Sequence, residues 1–345
     1  MTFTVTVQPS GRTFSVERDE PVLSAAIRQG VGLPYGCKDG ACGSCKCRLL
    51  EGRVIHGVHQ SKALSAEEEA AGWILTCQGA PQTDLVIEAR TVPGAGEFPV
   101  RKMPSRVTSI AKPAPDVAIL QLQLPANDVL QYHAGQYVEF ILRDNSRRSY
   151  SMANAPHTQA EKPGIELHVR HLPGGKFTDH VFGAMKEKDI LRVEGPFGSF
   201  FLREDTDKPM ILLASGTGFA PIKAIIEHMQ FKSSQRHAVL YWGCRSKADL
   251  YLHDWALAAA EQMPNLQYIP VLSEPKPEDA WTGRTGFVHQ VVMHDHPNLM
   301  NHQVYACGVP IMVESAKRDF VMKAGLPDDE FYADSFTSEA DKHGA

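Results

Sequence analysis

Residues 35–47 read YGCKDGACGSCKC, which puts four cysteines into thirteen residues. The spacing is Cys37-x4-Cys42-x2-Cys45, with Cys47 close behind and Cys77 beyond a long gap. Gly36, Gly40 and Gly43 punctuate the loop. Glycine lets a backbone turn sharply enough for several thiols to converge.

This spacing is the plant-type pattern for a [2Fe–2S] cluster, which needs four thiolates. The loop would supply Cys37, Cys42 and Cys45, and Cys77 would close the set from a distant segment. The glycines also leave backbone N–H groups free to point at sulfur. A structural zinc site is the alternative, since Cys42-x2-Cys45 alone would suit it. Zinc sites usually pair two such knuckles, however, and Cys77 stands alone. Cys47 is spare. Strand alternation points it away from the side of Lys46, as a packing residue or a substitute ligand.

The rest of the chain must explain why such a loop is attached to so much more protein. At 345 residues, two or three domains are expected. With 43% hydrophobic and 22% charged residues, each can bury an ordinary core. The net charge of −5 comes with no basic run, so a nucleic-acid surface is not expected. No apolar stretch approaches the ~20 residues that span a membrane. The opening MTFTVTVQPSGRTF alternates like a strand and lacks the parts of a signal peptide, so a cytoplasmic location is expected. Seven cysteines, odd in number and clustered, argue against a disulfide framework.

Around the cysteine loop, residues 2–7 and 13–17 read as a hairpin across Pro9-Ser10-Gly11, and 21–29 as a helix. Residues 46–50 and 52–55 read as strands. Ser65-Ala-Glu-Glu68 reads as a capping box opening a helix, and 73–77 as a buried strand. With the cysteine pattern, this stretch resembles a plant-type ferredoxin domain, which implies an α+β (β-grasp) fold over residues 1–92.

Residues 93–100, PGAGEFPV, read as a linker. Beyond them come short strand-like runs, RVTSI, VAILQLQL, QYVEFIL, GIELHVRHL and DILRVEGPF, which predict an antiparallel β-barrel over 101–205. Arg148-Ser149-Tyr150-Ser151 lies within it. An arginine fork can clamp a pyrophosphate, a tyrosine can stack on a flat ring, and a serine hydroxyl can bond a ring nitrogen. His168-Val169-Arg170 and Gly174-Gly175-Lys176-Phe177-Thr178 follow, then Gly195-Pro196-Phe197-Gly198. In this order the segments resemble the flavin motifs of the ferredoxin–NADP reductase superfamily. The resemblance implies FAD rather than FMN, with backbone of the second segment lining the ring and a helix after the glycines meeting the pyrophosphate.

Residues 206–345 predict an α/β domain with a parallel sheet. MILLASGTGFAPIKAIIEHMQ runs from an apolar strand through Gly216-Thr217-Gly218 into a helix near Pro221. GTGFAP resembles the pyridine-nucleotide motif of the same superfamily. Cys307-Gly308-Val309-Pro310 resembles its CGxP motif, which implies a thiol near the nicotinamide. Hydride transfer needs close approach more than acid–base help. Around Arg245 and Asp249 the pattern resembles NADH-using members, so NADH is expected over NADPH. The segment 331–336 resembles the family's terminal stretch. That implies an aromatic, Phe336 or Tyr332, covering the flavin, and Asp334 accepting a hydrogen bond from Ser151 or Cys307. About nine polar residues follow Phe336, where some members stop early.

The whole chain therefore resembles the single-chain NADH-dependent reductases that serve multicomponent oxygenases. Its strongest likeness is to the reductases of deoxysugar synthesis. The resemblance implies electrons passing from NADH through FAD and a [2Fe–2S] cluster to a protein acceptor. That acceptor would be a pyridoxamine-phosphate dehydrase or an oxygenase component. A free flavin or ferric reductase and a slow redox-sensing module are the other readings.

Overall fold

A computed structural model describes residues 1–161 and 163–336. They divide into two compact units, Met1–Val100 with Pro196–Phe200, and Arg101–Gly195 with Phe201–Phe336. The polar residues expected after Phe336 lie outside the described residues.

In the first unit, β1 (Thr2–Gln8) and β2 (Arg12–Glu17) bury alternate residues, Val5 and Val7 on one and Phe14 and Val16 on the other, with Val5 opposite Phe14. Period-two apolar placement produces this single buried face. Helix α1 (Val22–Arg28) buries Val22, Leu23, Ala25 and Ala26 and starts after Pro21. Next come β3 (Lys46–Glu51), β4 (Val54–His56), α2 (Ala66–Ala70), β5 (Trp73–Leu75), β6 (Gly79–Pro81) and β7 (Leu85–Glu88). The main sheet runs β2-β1-β7-β3-β5, and β4 pairs with β6. The expected capping box forms: Glu68 N donates to Ser65 Oγ at 3.2 Å, and Ser65 N to Glu68 Oε2 at 2.9 Å. The strand expected over 73–77 stops at Leu75, where Gln78 N donates to the Leu75 carbonyl at 3.1 Å. The resulting bend, not a strand, carries Cys77.

The second unit holds two sheets. The first is built from β8 (Arg101–Ala114), β9 (Val117–Gln123), β10 (Tyr137–Ile141), β11 (Arg147–Ser151), β12 (Gly164–Arg170) and β13 (Ile190–Phe197), with α3 (Lys176–Phe182) between the last two. Its order is β11-β10-β13-β8-β9-β12. The expected barrel does not close. The edge strands meet at one antiparallel bridge, Met152 to Leu167. Past that bridge the Asn154 side chain, not a backbone carbonyl, accepts from Glu166 N at 2.8 Å. Pro156, next but one, has no N–H to extend the ladder.

The second sheet contains β14 (Met210–Ser215), α4 (Phe219–Phe231), β15 (Ala238–Cys244), α5 (His253–Gln262), β16 (Leu266–Leu272), β17 (Arg284–Thr285), α6 (Val288–Asp295), β18 (Gln303–Gly308), α7 (Pro310–Ala324) and β19 (Phe331–Ser335). The strands run parallel in the order β17-β16-β15-β14-β18-β19. Ile211 and Leu213 pack with α6 and α7. The opposite face carries Trp242, stacked 4.0 Å from Phe219 of α4. Strands covered on both faces read as continuous apolar runs, which is why MILLA shows no alternation. The chain winds outward from β14 and returns to its other side at β18. Ligands of such sheets bind where the winding reverses, at the carboxyl ends of the two strands.

Candidate active site

Within the first unit the four predicted thiols are all free and fall into two pairs. Cys37 Sγ lies 3.0 Å from Cys42 Sγ, and Cys45 shares a side-chain hydrogen bond with Cys77. Cys37 N points at Cys42 Sγ, and Cys42 N at Cys37 Sγ, each at 3.4 Å. The loop manages this because Gly40 and Gly43 take φ of 76° and 75°, a region hostile to side chains. The bond from Cys37 pulls Cys42 down to about 6 and pushes Cys37 up. Among the described residues, no three His, Cys, Asp or Glu side chains converge as they would on a single ion. Two pairs of thiols fit two irons better than one zinc. Cys47 is buried opposite Ile74, and burial pushes its thiol up to about 12. In the same unit, Ser199 N donates to Tyr35 O at 3.1 Å, and Lys38 Nζ sits 3.4 Å over the Phe197 ring.

In the second unit the reversal of winding brings Gly216-Thr217-Gly218, after β14, beside Cys307-Gly308, at the end of β18. The contact is backbone on backbone. A Cβ at Gly218 would overlap the Cys307 carbonyl and lie 2.7 Å from Gly308 Cα. Ser215 Oγ accepts from Val309 N at 3.1 Å, and Trp242 Nε1 donates to the Gly216 carbonyl at 3.0 Å. No side chain caps the start of α4; its first amide, Phe219 N, donates back to the Gly216-Thr217 turn, and the positive end of the helix dipole lies at this turn. Pro221 and Pro310 sit in first turns, where a missing N–H costs nothing.

The flavin-motif residues separate by role. Strand β11 alternates Arg148, Ser149, Tyr150 and Ser151 against β10, from Phe140 to Tyr137. Arg148 is exposed. The Tyr150 ring packs 5.1 Å from Phe177, which itself stacks 4.4 Å from Phe140 in the core. Phe177 and Val169 are buried, so only their backbone can meet a cofactor. Lys176 pairs with Asp144 at 2.5 Å, and Thr178 Oγ1 donates to the Leu172 carbonyl at 2.8 Å. These bonds hold Gly174 and Gly175 at the start of α3, where no side chain caps the helix. The Arg170 side chain points elsewhere. Its guanidinium lies between Asp116 at 3.2 Å and Asp249 at 3.5 Å, next to Gly216. Asp249 Oδ2 also accepts from Ser246 N and Oγ at 3.0 Å. Arg245 is exposed, and its carbonyl accepts from Glu274 N.

Three predicted residues from distant parts of the chain do meet. Ser151 Oγ donates to Asp334 Oδ2 at 3.1 Å, and Cys307 Sγ lies 4.0 Å from the same oxygen. Burial, with the Asp334 carboxylate alongside, pushes the Cys307 thiol well up. Tyr332 is stacked on Tyr305 at 4.9 Å and donates to Glu330 at 3.1 Å, so it belongs to the core. Phe336 continues the β18–β19 ladder, its N–H donating to the Gly308 carbonyl at 2.9 Å.

Comparison with known proteins matches this geometry in chain order. A 2Fe-2S iron–sulfur cluster binding domain matches residues 5–82, an oxidoreductase FAD-binding domain 104–202, and an oxidoreductase NAD-binding domain 212–318. The chain is 39% identical over 339 residues to the CDP-6-deoxy-L-threo-D-glycero-4-hexulose-3-dehydrase reductase of Yersinia pseudotuberculosis, covering 97% of this chain and 99% of that one. The chain belongs to the family of iron–sulfur flavoprotein reductases. It is 35% identical over 349 residues to the phenol hydroxylase P5 protein of Acinetobacter pittii, covering 99% and 96%. A solved cytochrome P450 reductase of Amycolatopsis gives a TM-score of 0.80 at 34% identity, covering 98% and 99%. This reductase is thus an NAD(P)H-dependent oxidoreductase with [2Fe–2S]-, FAD- and NAD-binding domains, and it passes electrons to a partner protein. No described helix is long and apolar enough to cross a membrane.

Sequence reasoning missed several residues of the reductase site. Ser215 and Asp116 carry no motif signal. Lys223 does carry one: it is a lysine inside the apolar run Ala220-Pro-Ile-Lys-Ala-Ile-Ile226, four residues ahead of Glu227. An ionic group on the buried face of a helix asks for a partner.

Proposed function

We propose that the reductase oxidises NADH and supplies a pyridoxamine-phosphate dehydrase acting on a nucleotide-linked deoxysugar. The supporting observation is the 39% identity to the Yersinia dehydrase reductase across nearly both full lengths. An oxygenase component is the second reading, favoured by the 0.80 TM-score with the Amycolatopsis cytochrome P450 reductase. Cross-linked capture from the source cells separates them. Recovery of a dehydrase supports the first, and recovery of an oxygenase hydroxylase replaces it with the second.

The functional segments are 1–92 for the cluster, 101–205 for FAD and 206–345 for the nucleotide, joined by 93–100, in a cytoplasmic protein. Bound in these domains, FAD would accept a hydride from NADH, and the [2Fe–2S] cluster would relay electrons singly to the acceptor. Cys37, Cys42, Cys45 and Cys77 hold the cluster. Arg148 and the amides at the start of α3 meet the pyrophosphate. Ser149, Tyr150 and the backbone of 168–170 seat the ring. Gly216, Thr217, Gly218 and Gly308 clear room for the nicotinamide nucleotide. Ser151 and Asp334 hold a buried hydrogen bond beside Cys307, which fixes the position of these three side chains where flavin and nicotinamide would meet. With Tyr332 locked in the core, Phe336 is the covering aromatic.

Asp249 supports NADH. Its carboxylate stands just past the carboxyl end of β15 and already occupies the Arg170 guanidinium, while Asp279 Oδ2 accepts from Lys247 N at 3.4 Å, so an added phosphate would have to compete with two carboxylates. The reductase is expected to favour NADH over NADPH by about tenfold or more in kcat/KM, roughly 1.4 kcal/mol. Asp249→Asn should narrow that ratio by raising NADPH use. Equal use of both nucleotides by the parent protein would exclude the assignment.

A further inference from the structure

The second unit contains a buried ionic network that no step above uses. Lys223 Nζ donates to Glu227 Oε1 at 2.5 Å and to the Ala153 carbonyl at 3.1 Å, and lies 3.1 Å from Glu166 Oε1. Glu227 Oε2 accepts from Ala155 N at 2.9 Å. Glu166 also accepts from Gln121 at 2.6 Å and faces His168 Nε2 at 2.8 Å. His168 Nδ1 is 2.8 Å from Tyr251 Oη. A neutral imidazole protonated on Nε2 satisfies both of its contacts, donating to the carboxylate and accepting from the phenol. Burial pushes the Glu166 carboxyl up, but His168 and Lys223 pull it down to about 2, so it stays ionised.

The side chain of Lys223 is only 7% exposed and that of His168 is 0% exposed. Two carboxylates, one ammonium and one neutral imidazole leave a net negative charge in the interior. Such a network gives little stability over apolar packing of the same volume, so its value lies in fixing one arrangement. What it fixes is specific. Ala153 and Ala155 directly follow β11, and Glu166 and His168 lie on β12; these two strands carry the proposed flavin seat. Lys223 and Glu227 lie on α4, which springs from the glycine turn of the proposed nicotinamide seat.

We propose that Lys223 is a positioning residue for hydride transfer, pinning helix α4 to the segment after β11 so that nicotinamide and flavin are held at reacting distance. This rests on the FAD and NADH reading above. A misplacement of about 1 Å can cost on the order of 100-fold in rate.

Lys223→Met alone would strand two carboxylates and could fail to fold. The test is therefore the double variant Lys223→Met/Glu227→Gln in the full holoprotein, which removes the Lys223 bonds to Ala153 and Glu166 while leaving Glu166 with Gln121 and His168 and an amide oxygen at 227 for Ala155 N. At saturating NADH, flavin bleaching is expected to slow by about tenfold or more. The KM for NADH and the FAD dissociation constant should stay within about threefold of the parent. The long-wavelength absorption of nicotinamide stacked on flavin, read by titration with NAD+, should weaken. A merely structural role would lower the melting temperature or FAD affinity but leave loaded molecules reacting at the parent rate. Unchanged bleaching with an unchanged stacking band would overturn the proposal. If the parent itself binds no FAD or is not bleached by NADH, the functional reading has failed instead, and the comparison shows which.

Discussion

Cys77→Ser is expected to abolish the visible absorption of the iron–sulfur cluster and cut NADH-driven cytochrome c reduction by about 100-fold or more, some 2.7 kcal/mol. Direct reduction of ferricyanide by NADH should stay within about twofold, because small oxidants can draw electrons from flavin. The reason lies in the pairing. Cys77 is the partner of Cys45, and it reaches that sulfur from the bend after β5 while the other three thiols share one loop. A serine oxygen is a hard, weakly acidic replacement for a soft thiolate. Cys47 is poorly placed to substitute, since it is held within β3, paired opposite Ile74 of β5. A variant that keeps its cluster and full cytochrome reduction would remove Cys77 from the ligand set.

Gly218→Ala should lower kcat/KM for NADH by about 100-fold, again about 2.7 kcal/mol, with FAD and iron content unchanged. The new methyl would overlap the Cys307 carbonyl and lie 2.7 Å from Gly308 Cα. Both neighbours are backbone in a parallel sheet, so neither can swing aside. The ends of β14 and β18 would have to part where the nucleotide is expected. Binding isotherms for NADH and stopped-flow flavin bleaching would measure the effect. Turnover within threefold of the parent would show that the turn tolerates the methyl and that the approach of the two strands is not what shapes the site.

Some of this site can be read directly in the sequence because short-range geometry dictates it. Cys37, Cys42 and Cys45 must share a loop, and glycines make that loop possible. The glycine turn after β14 follows from an apolar run meeting Gly216-Thr217-Gly218. The meeting of Ser151, Cys307 and Asp334 is harder to read, since it joins three strands far apart in the chain, and here family likeness supplied what periodicity could not. Barrel closure was misjudged because one side chain, Asn154, takes a donor that a backbone carbonyl would otherwise hold. Arg170 shows a further limit. Its position on β12 is evident from the sequence, but its ion pairs with Asp116 and Asp249 depend on how separate strands and turns assemble.

Strand β19 has consequences for how the protein ages. It is an edge strand with a single neighbour, and it places Asp334 opposite Cys307 and Ser335 opposite Gly308. Borders of a sheet come loose at lower cost than its interior. One fraying event would therefore withdraw the carboxylate and the terminal aromatic together while every other strand stayed paired. A stored or warmed sample would lose turnover well before its circular dichroism changed. Its useful lifetime would be set by a few rungs at the margin, not by the melting point of the whole molecule.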